Sequence, residues 1–171
     1  MKKLLLFLIL FTSLGFAQSS LLLLMSESKP DSLGDELNAE FHFNTVATYT
    51  AINCSLATES GQGKITQTST SAAQVRKSIT VENGKSYRFA LDWIGTKYTG
   101  ATPASIQIRV GTSAGGTQLG SVGVTQNLNT NFTIYMWFTA TQTSVVPGFI
   151  INNSTGNSVG YIDNFSIRES K

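Results

Sequence analysis

The feature that most constrains this chain is a strict alternation between Ser86 and Ile94. Tyr87, Phe89, Leu91 and Trp93 take every second position, and Arg88, Ala90 and Asp92 lie between them. A period of two places the two sets on opposite faces of a strand, so four large apolar side chains share one face. That face needs a second layer to cover it, and the other face meets polar surroundings. The expectation is a core strand with Trp93 inside.

The same texture runs from Leu37 to Ser166. Thr, Ser, Asn and Gly are frequent, and no stretch repeats apolar residues at the spacing of an amphipathic helix. Strands are expected at Phe41 to Tyr49, Ala51 to Ala57, Lys64 to Ser69 (a weakly apolar edge), Ala73 to Val81, Ser105 to Val110, Gln118 to Val124, Asn131 to Thr139, Val145 to Asn152 and Tyr161 to Arg168. Asn83-Gly84 is a hairpin signal ahead of Ser86. Pro147 lacks an amide donor, which points to an edge or a bulge. Eight to ten short strands with short links predict an all-β chain, a single antiparallel β-sandwich of jelly-roll type.

The N-terminus reads as an address. Lys2 and Lys3 precede the apolar run Leu4 to Phe11, and Gly15 and Ala17 supply small residues for cleavage. Residues 1–17 are expected to be a bacterial signal peptide, 18–36 a flexible tether rich in polar residues with Pro30 and Gly34, and 37–171 the folded domain. Leu21 to Met25 resumes the apolar character, so a membrane partner is expected only if the signal segment is retained. The destination is secreted or cell-surface, with a virion as a further possibility. The chain has twelve basic and ten acidic residues. Loss of Lys2 and Lys3 balances them, which argues against nucleic acid as a partner. Cys54 is the single cysteine, so an intrachain disulfide is impossible and the fold must rely on its core.

The chemistry of an enzyme is sparse. Gly111-Thr112-Ser113-Ala114-Gly115 has the spacing of a nucleophile elbow, but no helical pattern follows it, and the single histidine, His42, precedes the serine. One His and one Cys do not make a zinc site. Asp92 is a mid-strand carboxylate with no evident partner acid, so a small glycosidase or lyase is a minor alternative. No catalytic residue is assigned, and no cofactor is required.

Tyr135 and Trp137 are the informative pair. They alternate with Ile134, Met136 and Phe138, so their rings project from the opposite face about 7 Å apart along the strand. Such a pair forms a platform for the flat apolar face of a sugar ring, with Gln107, Arg109, Arg88 and Asp92 as polar groups that would orient it. Contact with another protein, or packing under a covered face, fits the same pattern.

Three stretches carry a family resemblance. They are Leu37-Asn38-Ala39-Glu40-Phe41, the run from Val81 to Phe89 containing Gly84-Lys85-Ser86-Tyr87, and Tyr161-Ile162-Asp163-Asn164-Phe165-Ser166-Ile167. In order and spacing they resemble a CenC-type carbohydrate-binding module, a galactose-binding-like β-jelly roll, over residues 37–169. The resemblance implies a non-catalytic module. It also implies a structural calcium held by the closing Asp, here Asp163, with a carboxylate of the opening segment, here Glu40. The opening departs from the family pattern at Ala39, Glu40 and His42. From its own flanks, Asp163 reads as a tie between the two chain ends. The partner expected is a polysaccharide or surface glycan bound through the aromatic platform. The alternative is a structural or host-attachment protein that meets virion or cell-surface proteins.

Overall fold

The alternating stretch is an interior strand of a sandwich. The computed structural model describes residues 32–100, 105–125, 128–152 and 158–171. The expected signal peptide, 1–17, and the tether as far as residue 31 lie outside the described residues. Twelve strands occur among the described residues: β1 (Leu33–Glu36), β2 (Thr50–Ile52), β3 (Cys54–Glu59), β4 (Gln62–Gln67), β5 (Ala73–Arg76), β6 (Ile79–Thr80), β7 (Ser86–Trp93), β8 (Ser105–Gly111), β9 (Gly120–Thr125), β10 (Phe132–Thr139), β11 (Ser144–Asn152) and β12 (Val159–Ser170). They form two antiparallel six-stranded sheets packed face to face. Sheet I has the order β10-β7-β12-β4-β3, with β1 beside the C-terminal part of β12. Sheet II has the order β2-β5-β11-β8-β9, with β6 beside β11.

The core lies between the sheets, where the period of two predicts it. Tyr87, Phe89, Leu91 and Trp93 of β7 are buried, and so are Ile106, Ile108 and Val110 of β8 and Ile134, Met136 and Phe138 of β10. Burying an aliphatic or aromatic side chain of this size contributes about 2 kcal/mol. The Trp93 indole N–H donates to the Leu128 carbonyl at 2.8 Å, which satisfies the one polar atom it takes into the core. Gly160 passes so close to this ring that a Cβ there would lie 2.4 Å from it. A larger residue would displace the indole.

Several local expectations give way to tertiary contacts. Phe41 to Tyr49 is a series of turns rather than a strand. Phe41, Phe43 and Tyr49 donate backbone bonds back to Asn38, Glu40 and Val46, and Phe43 has φ 52°. The segment is held by packing: the Phe43 and Tyr49 rings stack at 5.0 Å, and Tyr49 meets Phe165 edge-on at 5.4 Å. β1 forms instead within the stretch expected to be tether, paired with β12. Ala51 to Ala57 is interrupted at Asn53, whose φ of 56° carries the chain from sheet II into sheet I. The stretch around Lys64 forms an interior strand, because β4 lies between β12 and β3. Asn83-Gly84 turns the chain between sheets and not through a hairpin, since β6 pairs β11 and β7 pairs β10 and β12.

β11 is the instructive case. Despite Pro147 it is an interior strand of sheet II, paired with β8 from Val146 to Asn152. On its other side the neighbour changes from β6 to β5, and Lys77 and Ser78 belong to neither. The Pro147 carbonyl accepts from Lys77 N–H on that side. The missing donor therefore falls at a gap in the ladder, where no acceptor is lost.

Candidate binding site

The register of sheet I sets out the residues on its outer face in rows. Trp137, Arg88, Arg168 and Glu36 form one row across β10, β7, β12 and β1. Tyr135 pairs with Ala90, which pairs with Ser166. Thr133 pairs with Asp92, which pairs with Asp163. The face thus has two arginines at one end, two aspartates at the other, and small residues between. The small residues, Ala90 and Ser166, floor a cleft of about 380 Å³. Leu33 and Phe41 contribute apolar wall, and Arg88, Arg168, Asp92, Thr133 and Asn164 contribute polar groups. The Arg88 guanidinium lies 4.7 Å from the centre of the Tyr135 ring, a cation–π contact that takes up part of that ring.

Asn164 manages the acidic end. Two carboxylates directly opposite on one sheet face repel. β12 has a bulge between Asp163 and Ser166, and Asn164 within it has φ 48°. From there its backbone N–H donates to Asp163 Oδ1 at 2.8 Å and its side-chain amide to Asp92 Oδ2 at 2.5 Å. Thr133 donates to Asp92 Oδ1 at 2.6 Å. Asp92 therefore has a neighbouring acid, contrary to expectation, yet both of its oxygens already accept from the protein.

The tie between chain ends is made chiefly by Glu36 and Asn38 rather than by Asp163. Glu36 Oε1 accepts from the backbone of Asn38 at 3.0 Å and of Ile167 at 2.8 Å. Its Oε2 accepts from the Ser166 hydroxyl and from Arg168 Nε at 3.3 Å. Asn38 is fully buried and donates to the Phe165 carbonyl at 2.6 Å and to the Tyr49 hydroxyl at 2.8 Å. Burial pushes the Tyr49 hydroxyl well above its ordinary pKa. Asp163 is half-buried and faces His42 Nδ1 at 3.3 Å, just beyond the opening segment.

The two carboxylates implied for calcium do not form a common ligand set. Glu40 Oε2 accepts from Lys77 Nζ at 2.7 Å and from the Thr48 hydroxyl. Lys77 Nζ also donates to Asn38 Oδ1 at 2.8 Å and lies 4.9 Å from the Tyr49 ring centre. A lysine ammonium supplies the cation at Glu40, while Asp163 is turned to His42 and Asn164. The hydrogen bonds from Lys77 and then Thr48 hold the Glu40 carboxyl below its ordinary pKa. Among the described residues no three His, Cys, Asp or Glu side chains gather as metal ligands.

Gln107 and Arg109 are not on this face. They project from β8 on the outside of sheet II, so the structure separates them from Arg88, Asp92, Tyr135 and Trp137. Ser113 lies in the turn that joins β8 to β9, with Gly116 N–H donating to its carbonyl at 3.1 Å. The motif is a glycine-rich hairpin turn, and strand β9 rather than a helix follows it. Among the described residues, no helix is long and apolar enough to cross a membrane.

No protein-family model and no curated protein matches the chain. Solved structures share its fold. A family 4 carbohydrate-binding module, described as "CBM4 structure and function", superposes with a TM-score of 0.58 at 14% identity, over 78% of this chain and 99% of that one. The CBM22-1 xylan-binding domain of Paenibacillus barcinonensis Xyn10C gives 0.57 at 17%, over 84% and 98%. TmCBM61, solved with β-1,4-galactotriose, gives 0.55 at 13%, over 78% and 98%. The chain thus has the sandwich of these modules across nearly their full length, at identities that speak for fold alone.

Proposed function

We propose that this chain is an exported, non-catalytic module that binds a neutral polysaccharide or surface glycan in the cleft on the outside of sheet I. The observation that carries the reading is the cleft: a small-residue floor at Ala90 and Ser166 between guanidinium donors and carboxylate acceptors. Sugar hydroxyls both donate and accept, so a site presenting both kinds of group suits them. Tyr135 and Trp137 stand on β10 beside the cleft, opposite Ala90 and Arg88, and are not among the residues that line it; a glycan that extends past the cleft along β10 would meet their rings. The likeness to modules that bind xylan and galactotriose supports the reading at the level of the fold. Hydrolysis is disfavoured because the two adjacent aspartates are engaged by Thr133, Asn164 and His42.

Affinity electrophoresis against neutral polysaccharides tests it. Wild type is expected to be retarded on at least one polymer, while Trp137→Ala loses about tenfold in affinity and Ala90→Leu, which fills the floor, abolishes retardation with the melting temperature retained. Retardation unchanged in both variants would sink the cleft. No retardation on any polymer, together with a stable complex on purified virion or cell-surface protein, would favour the attachment reading.

A further inference from the structure

The outside of sheet II carries a different kind of surface. Its rows read across β2, β5, β11, β8 and β9. Thr50, Arg76, Gly148, Arg109 and Ser121 form one, and Ile52, Gln74, Ile150, Gln107 and Gly123 form the next. Two arginines flank a glycine, and two glutamines flank an isoleucine one row away. Gly148 has no side chain to separate the arginines. Both guanidiniums run to Gly115: a Cβ there would lie 3.6 Å from Arg109 Nη2 and 3.7 Å from Arg76 Nη1. Arg109 Nη2 donates to Gln74 Oε1 at 2.7 Å, across β11.

Among the described residues no carboxylate pairs with either arginine. The chain has no Asp or Glu between Asp92 and Asp163, and none in any strand of sheet II. Burial first, and then the charge of Arg76, pull the Arg109 pKa below its ordinary value. Two like charges, partly desolvated and held side by side, cost stability unless an anion joins them.

We infer that the outer face of sheet II is a second binding site, and that it takes an acidic polysaccharide whose uronate carboxylate sits between the Arg76 and Arg109 guanidiniums. Each planar fork matches a carboxylate with two parallel hydrogen bonds. Gln74 and Gln107 then face the sugar hydroxyls, and exposed Gly123 leaves room for the ring beside Gln107. The chemistry argues against the other anionic partners. An acidic protein would want an exposed aromatic or large apolar anchor at the centre; no strand of sheet II turns an aromatic side chain outward, and the central Ile150 is only 6% exposed. Nucleic acid would want a wider basic field than two arginines.

The test is isothermal titration of the purified chain with polygalacturonate, with the same polymer after carboxyl reduction, and with polyglutamate. Polygalacturonate is expected to bind, and the reduced polymer and polyglutamate to bind at least tenfold more weakly. Arg76→Lys and Arg109→Lys keep the charge but not the fork, and each is expected to lower affinity about tenfold with melting unchanged. Equal binding of polymer and reduced polymer, equal binding of polyglutamate, or lysine variants that bind like wild type would each overturn the inference. So would absence of polygalacturonate binding by a folded chain. The neutral-glycan cleft is read separately, because Ala90→Leu acts on the opposite face: a chain that loses neutral glycan but holds polygalacturonate supports this site whatever becomes of the first.

Discussion

On the outside of sheet I, Glu36 and Asp92 accept hydrogen bonds from groups on neighbouring segments and Asp163 faces His42; on the outside of sheet II, Arg76 and Arg109 stand across one glycine with no acid beside them among the described residues. The first arrangement closes on itself. Its charges are used to join β1, β7, β10 and β12, and little is gained there by an outside ion. The second is left open, and its charges are spent on nothing inside the protein beyond one bond to Gln74. Acids tied up inside the protein leave the face of sheet I to neutral hydroxyls, whereas the unmatched arginines of sheet II suit an anion.

The largest effect that would sharpen this contrast is at Glu36. Glu36→Ala leaves the Asn38 and Ile167 amides without their acceptor and frees β1 from β12. A loss of about 3 kcal/mol in chemical denaturation is expected. Arg76→Gln, the matching loss of one charge from sheet II, is expected to leave stability unchanged or slightly raised, because it relieves repulsion. If the two variants lose stability alike, the distinction between closed and open faces fails.

An intermediate effect concerns acid. The Glu40 carboxyl has its pKa lowered in the folded state, so its contribution is present above the ordinary value of 4.5 and is lost as pH falls through the lowered one. Glu40→Gln is expected to cost about 1 kcal/mol at neutral pH and to narrow its gap to wild type below pH about 4. A gap that stays constant across a pH series of melting curves would show that the Lys77 pair contributes no linked stability.

The smallest effect is expected at Asp163. Removing it forfeits the contact with His42 and one backbone bond but also relieves its neighbour Asp92. Asp163→Ala is therefore expected to cost under about 1 kcal/mol. Chelator or added calcium is expected to leave the melting of both proteins unmoved, because Lys77 supplies the cation at Glu40. A calcium-dependent rise in wild type that vanishes in the variant would restore the metal to this seam.

Much of the fold was legible in the chain. Alternation in β7, β8 and β10 identified the inward residues correctly, since a half-buried strand must separate its faces residue by residue. The sandwich followed, because such strands need a second sheet to cover them. Trp93 was placed in the core on the same ground. The elements misread are those where local pattern and tertiary contact disagree. Lys64 to Ser69 reads as an edge because Ile65 is its one large apolar residue, yet pairing of β4 with β12 and β3 on either side makes it interior. Pro147 reads as an edge or a bulge, and the gap opposite it at Lys77 and Ser78 emerges only once three strands are assembled.

The candidate sites divide in the same way. By itself the sequence determined which side chains face outward: Arg88, Asp92, Tyr135 and Trp137 on their strands, Gln107 and Arg109 on theirs, and a long central stretch empty of acid. Only the tertiary structure decided which outward faces coincide. A strand's period says which side of its own sheet a residue takes, but not which of two sheets the strand joins. That depends on pairings between residues far apart in the chain, such as Arg76 with Gly148 and Gly148 with Arg109. The same long-range pairing set Asp163 beside Asp92 and passed the tie between chain ends to Glu36, whose polar surroundings in sequence resemble a linker until β12 supplies its partners.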